Sequence, residues 1–239
     1  MNQDTAGTAM EAAGRRGNSG LRPLGVILSL LLLCWAGGAQ AETLKSGWVP
    51  LMTGQDLRGW TNPFPWGTAV VSSNEIHLTA DRKFFLVTDR PYTNFVFEGE
   101  VLLPPGEANS GFMFRAQVAP KRVWGYQAEV DGDETRRWSG GLYDEGRRMW
   151  FISPIRGDAA SEAAFRARAG ESFKRHDWNT YRITCQGSRI RIEVNGVVTT
   201  DVEDAQDAAG VIALQHHGEK GKVYRFRNLR VKELPASTP

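Results

Sequence analysis

Hydrophobic and polar positions alternate with a period of two along most of the chain after residue 90. The apolar side of one run consists of Phe95, Phe97, Gly99, Val101 and Leu103. Because successive side chains of a β-strand point to opposite faces, this alternation predicts strands with one buried face. Comparable runs occupy residues 111–115, 126–131, 189–194, 197–201, 211–215 and 223–232.

The segment from Tyr181 to Asp201 gives the clearest prediction of a hairpin. Ile190, Ile192 and Val194 share one face of a strand, and Asn195-Gly196 then forms a two-residue turn into the next strand. An Asn-Gly pair between alternating segments is the strongest short-range hairpin signal. Short strands and turns at this spacing predict an all-β sandwich or barrel. Only Ala159 to Ala169 has a helical pattern, and we expect it at the periphery.

The first 41 residues have the organisation of a secretory signal peptide. Arginines precede an apolar run from Leu24 to Trp35, and an A-x-A pattern ends at Ala41. We therefore expect Sec-type export to the periplasm or the medium, one domain over residues 42–235, and a disordered tail over 236–239. The alternative is an uncleaved anchor, although the apolar run is short for a membrane span. We expect no stable span after cleavage.

Composition narrows the possible functions. The formal net charge is +2 over 239 residues, with no basic block, so no nucleic-acid partner is expected. Cleavage after Ala41 would leave Cys185 as the one cysteine, which excludes an intrachain disulfide and suits a small buried hydrophobe. No serine-hydrolase elbow, phosphate-binding loop, dinucleotide fingerprint or zinc pattern occurs.

The segment from Tyr126 to Trp150 is the densest concentration of polar and aromatic residues. Gln127, Glu129 and Asp131 fall on one face of a predicted strand, and aromatic residues follow closely at Trp138 and Tyr143. Aromatic rings can stack on a sugar ring while amides and carboxylates bind its hydroxyl groups. We favour a ligand cleft here over the alternative, a solvated outer face.

Two further segments supply candidate residues. Asn109 and Ser110 enter a strand in which Arg115 shares a face with Gly111, where the missing side chain leaves room for a ligand. The alternative is a strand start with a surface arginine. Further along, His216 and His217 are adjacent.

Adjacent histidines in a strand face opposite ways, so at most one of His216 and His217 can join a given site. Joint metal ligation is therefore not expected, and one of them is a candidate for acid–base work or sugar binding.

These residues also carry a resemblance to a known family. Seven segments occur in the family's order: GWVPLMTGQDLRGW, NSGFMFR, GYQAEVDGDETRRWSGGLYDEGRRMW, HDWNTYRI, VNGVVTTD, GVIALQHHG and YRFRNLRVKEL. Together they resemble the DUF1080 family of secreted bacterial proteins, described as 3-keto-disaccharide hydrolases or 3-keto-glucoside 1,2-lyases with 3-keto-2-hydroxyglucal hydratase activity. The resemblance implies a concanavalin A-like (laminin-G-like) jelly-roll sandwich of two antiparallel sheets.

The resemblance also implies a chemistry. A ketone at C3 acidifies the C2 proton, so that a base can remove it, the aglycone leaves C1 with the help of an acid, and water adds to the resulting enone. We expect Glu129 or Asp131 as the base and His217 or Tyr143 as the acid.

The remaining candidates are assigned to substrate binding. Arg115 and Gln127 would hold the keto oxygen and hydroxyl groups, Trp138 would stack on the sugar, and Asn109 and Ser110 match the family's NSG segment. The run GLYDEGRRMW is longer and more charged than the family's usual turn, so Glu145 and Arg148 are expected to influence which sugar is accepted.

Two other functions compete with this enzyme. Many concanavalin-like sandwiches only bind glycans, so a non-catalytic carbohydrate-binding module is the main alternative, and a structural or adhesive envelope domain is the third. No cofactor is expected. A structural or assisting divalent cation such as calcium is compatible with the fold, but the sequence names no ligand set for it.

Overall fold

The computed structural model describes residues 47–236, which form two antiparallel β-sheets packed face to face. The predicted signal peptide over 1–41 lies outside the described residues, as do the last three positions of the predicted tail. The strands, in chain order, are β1 (Val49–Pro50), β2 (Trp60–Thr61), β3 (Thr68–Ser72), β4 (Glu75–Thr79), β5 (Phe84–Thr88), β6 (Phe95–Leu102), β7 (Asn109–Ala119), β8 (Arg122–Asp131), β9 (Leu142–Glu145), β10 (Met149–Ser153), β11 (Asn179–Gln186), β12 (Arg189–Val194), β13 (Val197–Glu203), β14 (Val211–His216) and β15 (Val223–Glu233).

We call the two sheets the back sheet and the front sheet. The back sheet has eight strands in the order β13-β12-β11-β6-β15-β4-β3, with β1 paired to β15. The front sheet has seven strands in the order β10-β9-β8-β7-β14-β5-β2. All pairs are antiparallel, which confirms the predicted all-β sandwich of two antiparallel sheets.

The core lies between the sheets and follows the predicted alternation. In β8, Tyr126, Ala128 and Val130 are fully buried in it, while Gln127 and Glu129 point to the other face of the front sheet. The apolar positions of β6 and β12 enter the same core from the back sheet. Burial of these alternating positions fixes the register, because a shift by one residue would turn every apolar side chain outward.

The local signals read from the sequence are confirmed. Asn195 and Gly196 both have positive φ angles, +49° and +83°, as a tight two-residue hairpin between β12 and β13 requires. The one predicted helix, α1, spans Ala159–Ala169, and the carboxylate of Asp158 caps its first turn by accepting from two backbone N–H groups. Cys185 is fully buried, and burial raises the pKa of its thiol to about 12.

The outer face of the front sheet carries two smaller hydrophobic clusters. One contains Met113, Phe85 and Ala213 near the middle of the sheet. The other packs Phe165 and Ala169 of α1 against Trp138 and Trp150. The helix therefore supports the β9–β10 hairpin and is more than a peripheral element. Within residues 47–236, no helix is long and apolar enough to span a membrane.

Candidate active site

A cleft of about 240 Å³ lies on the outer face of the front sheet, between the two small hydrophobic clusters. Strands β7, β8, β9 and β14 form its floor, and the segments before β5 and after β10 complete its rim. Its lining consists of Lys83, Asn109, Gln127, Glu129, Arg136, Tyr143, Glu145, Trp150, Arg156, Gln215 and His217. All eleven side chains carry a hydrogen-bonding group, which makes this the polar part of the sheet face.

Glu129 lies at the floor of the cleft and is 4% exposed. Its carboxylate accepts hydrogen bonds from Asn109 Nδ2 at 2.6 Å and from Gln127 Nε2 at 2.9 Å, and Arg136 Nη2 lies 3.5 Å away. Burial raises the pKa of Glu129 to about 7, against the hydrogen bond from Asn109, and the charge of Asp131 adds to the increase. A carboxylate with a pKa near neutrality suits general acid–base catalysis.

Gln127 reaches Glu129 because Gly111 has no side chain. Gly111 and Glu129 are paired across β7 and β8, and a Cβ atom on Gly111 would lie 2.3 Å from Gln127 Cδ. The space over Gly111 was expected to admit a ligand. It is filled instead by the amide of Gln127, which the glycine allows to approach the backbone of β7 closely.

His217 lies at the rim, half exposed, with Nδ1 2.9 Å from Glu219 Oε1. The other oxygen of Glu219 accepts from the hydroxyl of Tyr224 at 2.6 Å. The hydrogen bond to Glu219 raises the pKa of His217, against the effect of partial burial. Because the carboxylate of Glu219 lies at Nδ1, the second ring nitrogen, Nε2, points away from Glu219. The negative charge of the carboxylate favours the protonated imidazole.

The two histidines face opposite ways, as expected from the strand pattern. His216 is fully buried between Phe84 and Tyr224, and burial lowers its pKa. It belongs to the interior of the sandwich and not to the cleft.

The aromatic side of the cleft is formed by Tyr143 and Trp150, whose ring centroids are 5.1 Å apart. Tyr143 is paired with Gln127 across β8 and β9, so both project into the cleft. Burial raises the pKa of Tyr143 and so keeps its hydroxyl protonated.

The expected stacking role of Trp138 requires correction. Trp138 is 3% exposed and packs edge-on against Trp150, behind the lining of the cleft. Its indole is held there by Phe165 of α1, because the helix covers this end of the hairpin. The aromatic residues that line the cleft are therefore Tyr143, which is half-buried, and Trp150, which is 7% exposed.

Asp131 continues the row of Gln127 and Glu129, but it does not line the cleft. Its two oxygens accept four hydrogen bonds: Arg136 Nε and Nη2, each at 2.8 Å, and the backbone N–H groups of Asp133 and Trp138. A carboxylate saturated in this way organises the loop after β8 and is not free to take a proton from a ligand. Of the two carboxylates expected as the base, the geometry favours Glu129.

Ser110 and Arg115 also lie away from the cleft. Ser110 is buried on the core face of β7, where its hydroxyl donates to the carbonyl of Gln215 at 2.7 Å. The sequence placed Arg115 on the face of Gly111 and Met113, but the register shifts after Met113 and Arg115 has a φ angle of +47°. This bulge breaks the alternation of faces.

The guanidinium of Arg115 is 1% exposed and joins several loops at the edge of the sandwich. It donates to the carbonyl oxygens of Thr93 at 2.6 and 2.8 Å, Gly187 at 2.8 Å and Asp207 at 3.3 Å. The expectation that Arg115 binds the keto oxygen was wrong, because these carbonyl groups occupy its donors.

Arg148 is likewise removed from the cleft, while Glu145 lines it. Arg148 pairs with Asp144 and Asp204 on the side of β9 opposite to Tyr143, so the expected contact with substrate is corrected. Glu145 projects into the cleft beside Tyr143 and accepts from Lys83 Nζ at 2.6 Å.

Five lining residues were not among the candidates taken from the sequence. Lys83, Arg136 and Arg156 supply positive charge, Trp150 supplies a ring, and Gln215 supplies an amide. Trp150 and Gln215 lie next to segments that contain candidate residues, so their position in the sequence could have identified them as lining residues. Lys83 and Arg156 lie outside the strands in segments with no periodic pattern, and only the fold brings them to the rim.

A wider groove of about 580 Å³ adjoins the cleft and shares Asn109 and Arg136 with it. Its sides include Glu107, Asp133 and Arg175. The cleft and the groove together offer neighbouring spaces for two parts of one ligand. Over residues 47–236, no group of three or more histidine, cysteine or acidic side chains is arranged to hold a metal ion.

Solved structures with the same fold include proteins of known and unknown role. A proposed glycosyl hydrolase of Parabacteroides distasonis superposes with a TM-score of 0.56 at 17% identity, covering 81% of this chain and 97% of that chain. The carbohydrate-binding module CBM66 of Bacillus subtilis gives 0.51 at 15% identity, covering 73% and 96%. A Bacillus subtilis protein with a galectin-like fold gives 0.52 at 10% identity, covering 80% and 96%.

The fold is thus a galectin-like or concanavalin-like sandwich, with a polar cleft on one sheet that suits a carbohydrate. The sequence model of the 3-keto-alpha-glucoside-1,2-lyase-like domain matches residues 47–232, and the chain belongs to this family. Among curated proteins, none matches this sequence. Membership confirms the resemblance drawn from the seven segments and establishes a carbohydrate-related function.

Proposed function

We propose that the protein cleaves the glycosidic bond of 3-keto-glycosides by removal of the C2 proton, elimination of the aglycone and rehydration. Glu129 is the base in this proposal. Its carboxylate takes the proton from C2, and the electron pair of the C–H bond forms an enolate with the C3 ketone. Lys83, Arg136 and Arg156 surround the cleft with positive charge that would stabilise the enolate oxygen.

Elimination then breaks the bond between C1 and the aglycone oxygen. The enolate electrons form the C1–C2 double bond, the ketone is restored, and the leaving oxygen takes a proton from His217 or Tyr143. Addition of water across the double bond returns a proton to C2 and a hydroxyl group to C1, so the net reaction is hydrolysis without oxidation or reduction. The groove beside the cleft gives the aglycone a place to lie.

The observation that carries the proposal is the environment of Glu129. It is a buried carboxylate with a pKa of about 7, held by two amides and facing a cleft whose lining includes His217. A buried carboxylate with a raised pKa in a cleft is typical of catalytic acid–base groups. A retaining or inverting glycosidase would use two carboxylates on either side of the anomeric carbon, whereas the second carboxylate of this cleft, Glu145, is paired with Lys83.

We also propose that the protein acts in the periplasm or outside the cell, as the arginines, apolar run and A-x-A pattern of residues 1–41 suggest. The proposed partner is the 3-keto-glycoside itself.

The test is release of 4-nitrophenol from 4-nitrophenyl 3-keto-glucosides of both anomeric configurations, with the parent glucosides as controls. We expect turnover only of the keto substrates, and a slower reaction when C2 carries deuterium. Hydrolysis of the parent glucosides at a comparable rate, or the absence of a deuterium effect in single-turnover measurements, would contradict removal of the C2 proton.

A non-catalytic carbohydrate-binding module is the second candidate. It is favoured by the fold shared with CBM66 and by the half-buried ring of Tyr143 beside that of Trp150. Calorimetric binding of a 3-keto-glucoside without any turnover would support this function over the enzyme.

A further inference from the structure

Two amide oxygens at the floor of the cleft have no hydrogen-bond donor among the described residues. They are Oε1 of Gln127 and Oε1 of Gln215, and each residue is 1% exposed. A buried acceptor without a donor is energetically costly, so such atoms are rare in folded proteins. Both side chains line the same cleft, so a ligand bound there is a source of donors for the two amides.

The orientation of Gln127 is set by its neighbour. Its Nε2 group donates to the carboxylate of Glu129, so its oxygen is turned away from that carboxylate. An ionised carboxylate accepts hydrogen bonds only, and the reversed amide would place two acceptors against each other. The free oxygen of Gln127 is therefore a fixed feature of the site whenever Glu129 is ionised.

The side-chain amide of Gln215 takes no part in the hydrogen bonding that holds the front sheet together. Its backbone carbonyl accepts from Ser110, and its backbone pairs with Phe85, while no hydrogen bond of its amide to another described residue is recorded. Strand β14 lies beside β7, so Gln215 and Gln127 approach the cleft from the two sides of β7. Two of the lining residues that could donate are engaged elsewhere: Asn109 with Glu129, and Lys83 with Glu145.

We propose that Gln215 determines specificity by accepting a hydrogen bond from one hydroxyl group of the sugar ring that carries the ketone, with Gln127 accepting from another. This inference rests on the proposed function and deepens it, because it assigns the substrate class as a polyhydroxylated ring with at least two free donors. A site built to bind a hydroxyl group rejects analogues that lack it, since the buried acceptor is then left unpaired.

The experiment compares the wild type with Gln215→Met, which keeps the length of the side chain and removes the acceptor. Both enzymes are assayed on 4-nitrophenyl 3-keto-glucoside and on its 2-deoxy, 4-deoxy and 6-deoxy analogues. Gln206→Met, at an exposed position in the loop before β14, is the matched control. Thermal unfolding of each variant shows whether folding is retained.

On one of the deoxy analogues we expect kcat/KM of the wild type to fall relative to the parent 3-keto-glucoside. We expect this fall to be roughly tenfold larger than the fall that Gln215→Met shows on the same analogue, because the wild type loses one hydrogen bond there. The inference would be overturned if the ratio of kcat/KM on the parent substrate to kcat/KM on each of the three analogues were the same in both enzymes. This holds even when the wild type is active on the keto substrate. If the wild type binds but does not turn over, the same ratios in Kd give the same test while the proposed function fails. Absence of binding to every compound would overturn both.

Discussion

The amide of Gln127 lies over Gly111, so close that a Cβ atom at Gly111 would come within 2.3 Å of Gln127 Cδ. From this position Gln127 Nε2 reaches the carboxylate of Glu129 at 2.9 Å. A glycine on one strand thereby fixes the hydrogen bonding of the proposed base on the next strand. The hydrogen bonding of Glu129 in the cleft therefore depends on the absence of a side chain at Gly111 in β7.

Gly111→Ala should reduce turnover by roughly 10-fold to 100-fold while the protein still folds. The added methyl group must displace Gln127, which removes one of the two amides that hold Glu129, and misplaced catalytic groups lose rates of this order. Overpacking of this kind destabilises by about 1–3 kcal/mol. Steady-state kinetics and urea unfolding measure the two effects.

The control for Gly111→Ala is the double variant with Gln127→Ala, in which the alanine at 127 leaves room for the methyl group. The two substitutions should be non-additive, with the double variant close in stability to Gln127→Ala alone. Additive losses in stability would show that the methyl group meets something other than Gln127.

Glu129→Gln should increase stability at neutral pH relative to the wild type, and the increase should depend on pH. The pKa of Glu129 is raised from 4.5 to about 7, so the folded state holds its proton more tightly than the unfolded state. The raised pKa therefore makes a contribution to the free energy of unfolding that is fully present below pH 4.5. This contribution, on the order of 3 kcal/mol, is lost as the pH rises from 4.5 through 7.

The difference in free energy of unfolding between Glu129→Gln and the wild type should therefore grow between about pH 4.5 and 7 and level off above it. Urea unfolding at several pH values measures it. A difference that shrinks as the pH rises over this range would contradict the raised pKa.

Glu219→Gln should lower kcat and move the alkaline limb of the pH profile to lower pH. The hydrogen bond to Glu219 raises the pKa of His217, and the neutral amide cannot hold the imidazolium in the same way. We expect roughly a tenfold loss in kcat at the pH optimum, within the range of one general-acid contribution.

Glu107→Gln, which removes an exposed carboxylate from the adjoining groove, should leave the profile of the wild type unchanged. An unchanged alkaline limb in Glu219→Gln would assign the proton donor to Tyr143 and not to His217.

Arg115→Lys should destabilise the protein by about 2–4 kcal/mol and leave KM of the folded enzyme unchanged. A lysine cannot satisfy the carbonyl groups of Thr93, Gly187 and Asp207 together, and buried acceptors left without donors are costly. Arg182→Lys, an exposed pair with Glu98, should cost less than about 1 kcal/mol. A raised KM with an unchanged free energy of unfolding would instead indicate that Arg115 binds substrate.

The sequence predicted the sandwich because its signals are local. Alternation in β6, β8 and β12, the Asn195-Gly196 turn and the helix from Ala159 to Ala169 each depend on neighbouring residues. The same alternation placed Gln127 and Glu129 together on the face that forms the cleft, and it separated His216 from His217.

The errors arose where the structure depends on distant contacts. The bulge after Met113 turns Arg115 away from the face that simple alternation assigns to it. Asp131 shares that face with Glu129, yet the loop that follows supplies four donors to it, and no spacing rule reveals this. Trp138 is covered by a helix that begins about twenty residues later, and Lys83 reaches the rim only through the order of the strands.

The most direct measurement of the central claim is turnover of 4-nitrophenyl 3-keto-glucoside by Glu129→Gln beside Glu145→Gln, the other carboxylate variant of the cleft. The account predicts that Glu129→Gln loses at least about a hundredfold in kcat, the contribution of a general base. It predicts that Glu145→Gln, whose carboxylate pairs with Lys83, loses less than tenfold. Turnover by Glu129→Gln at the rate of the wild type would contradict the account.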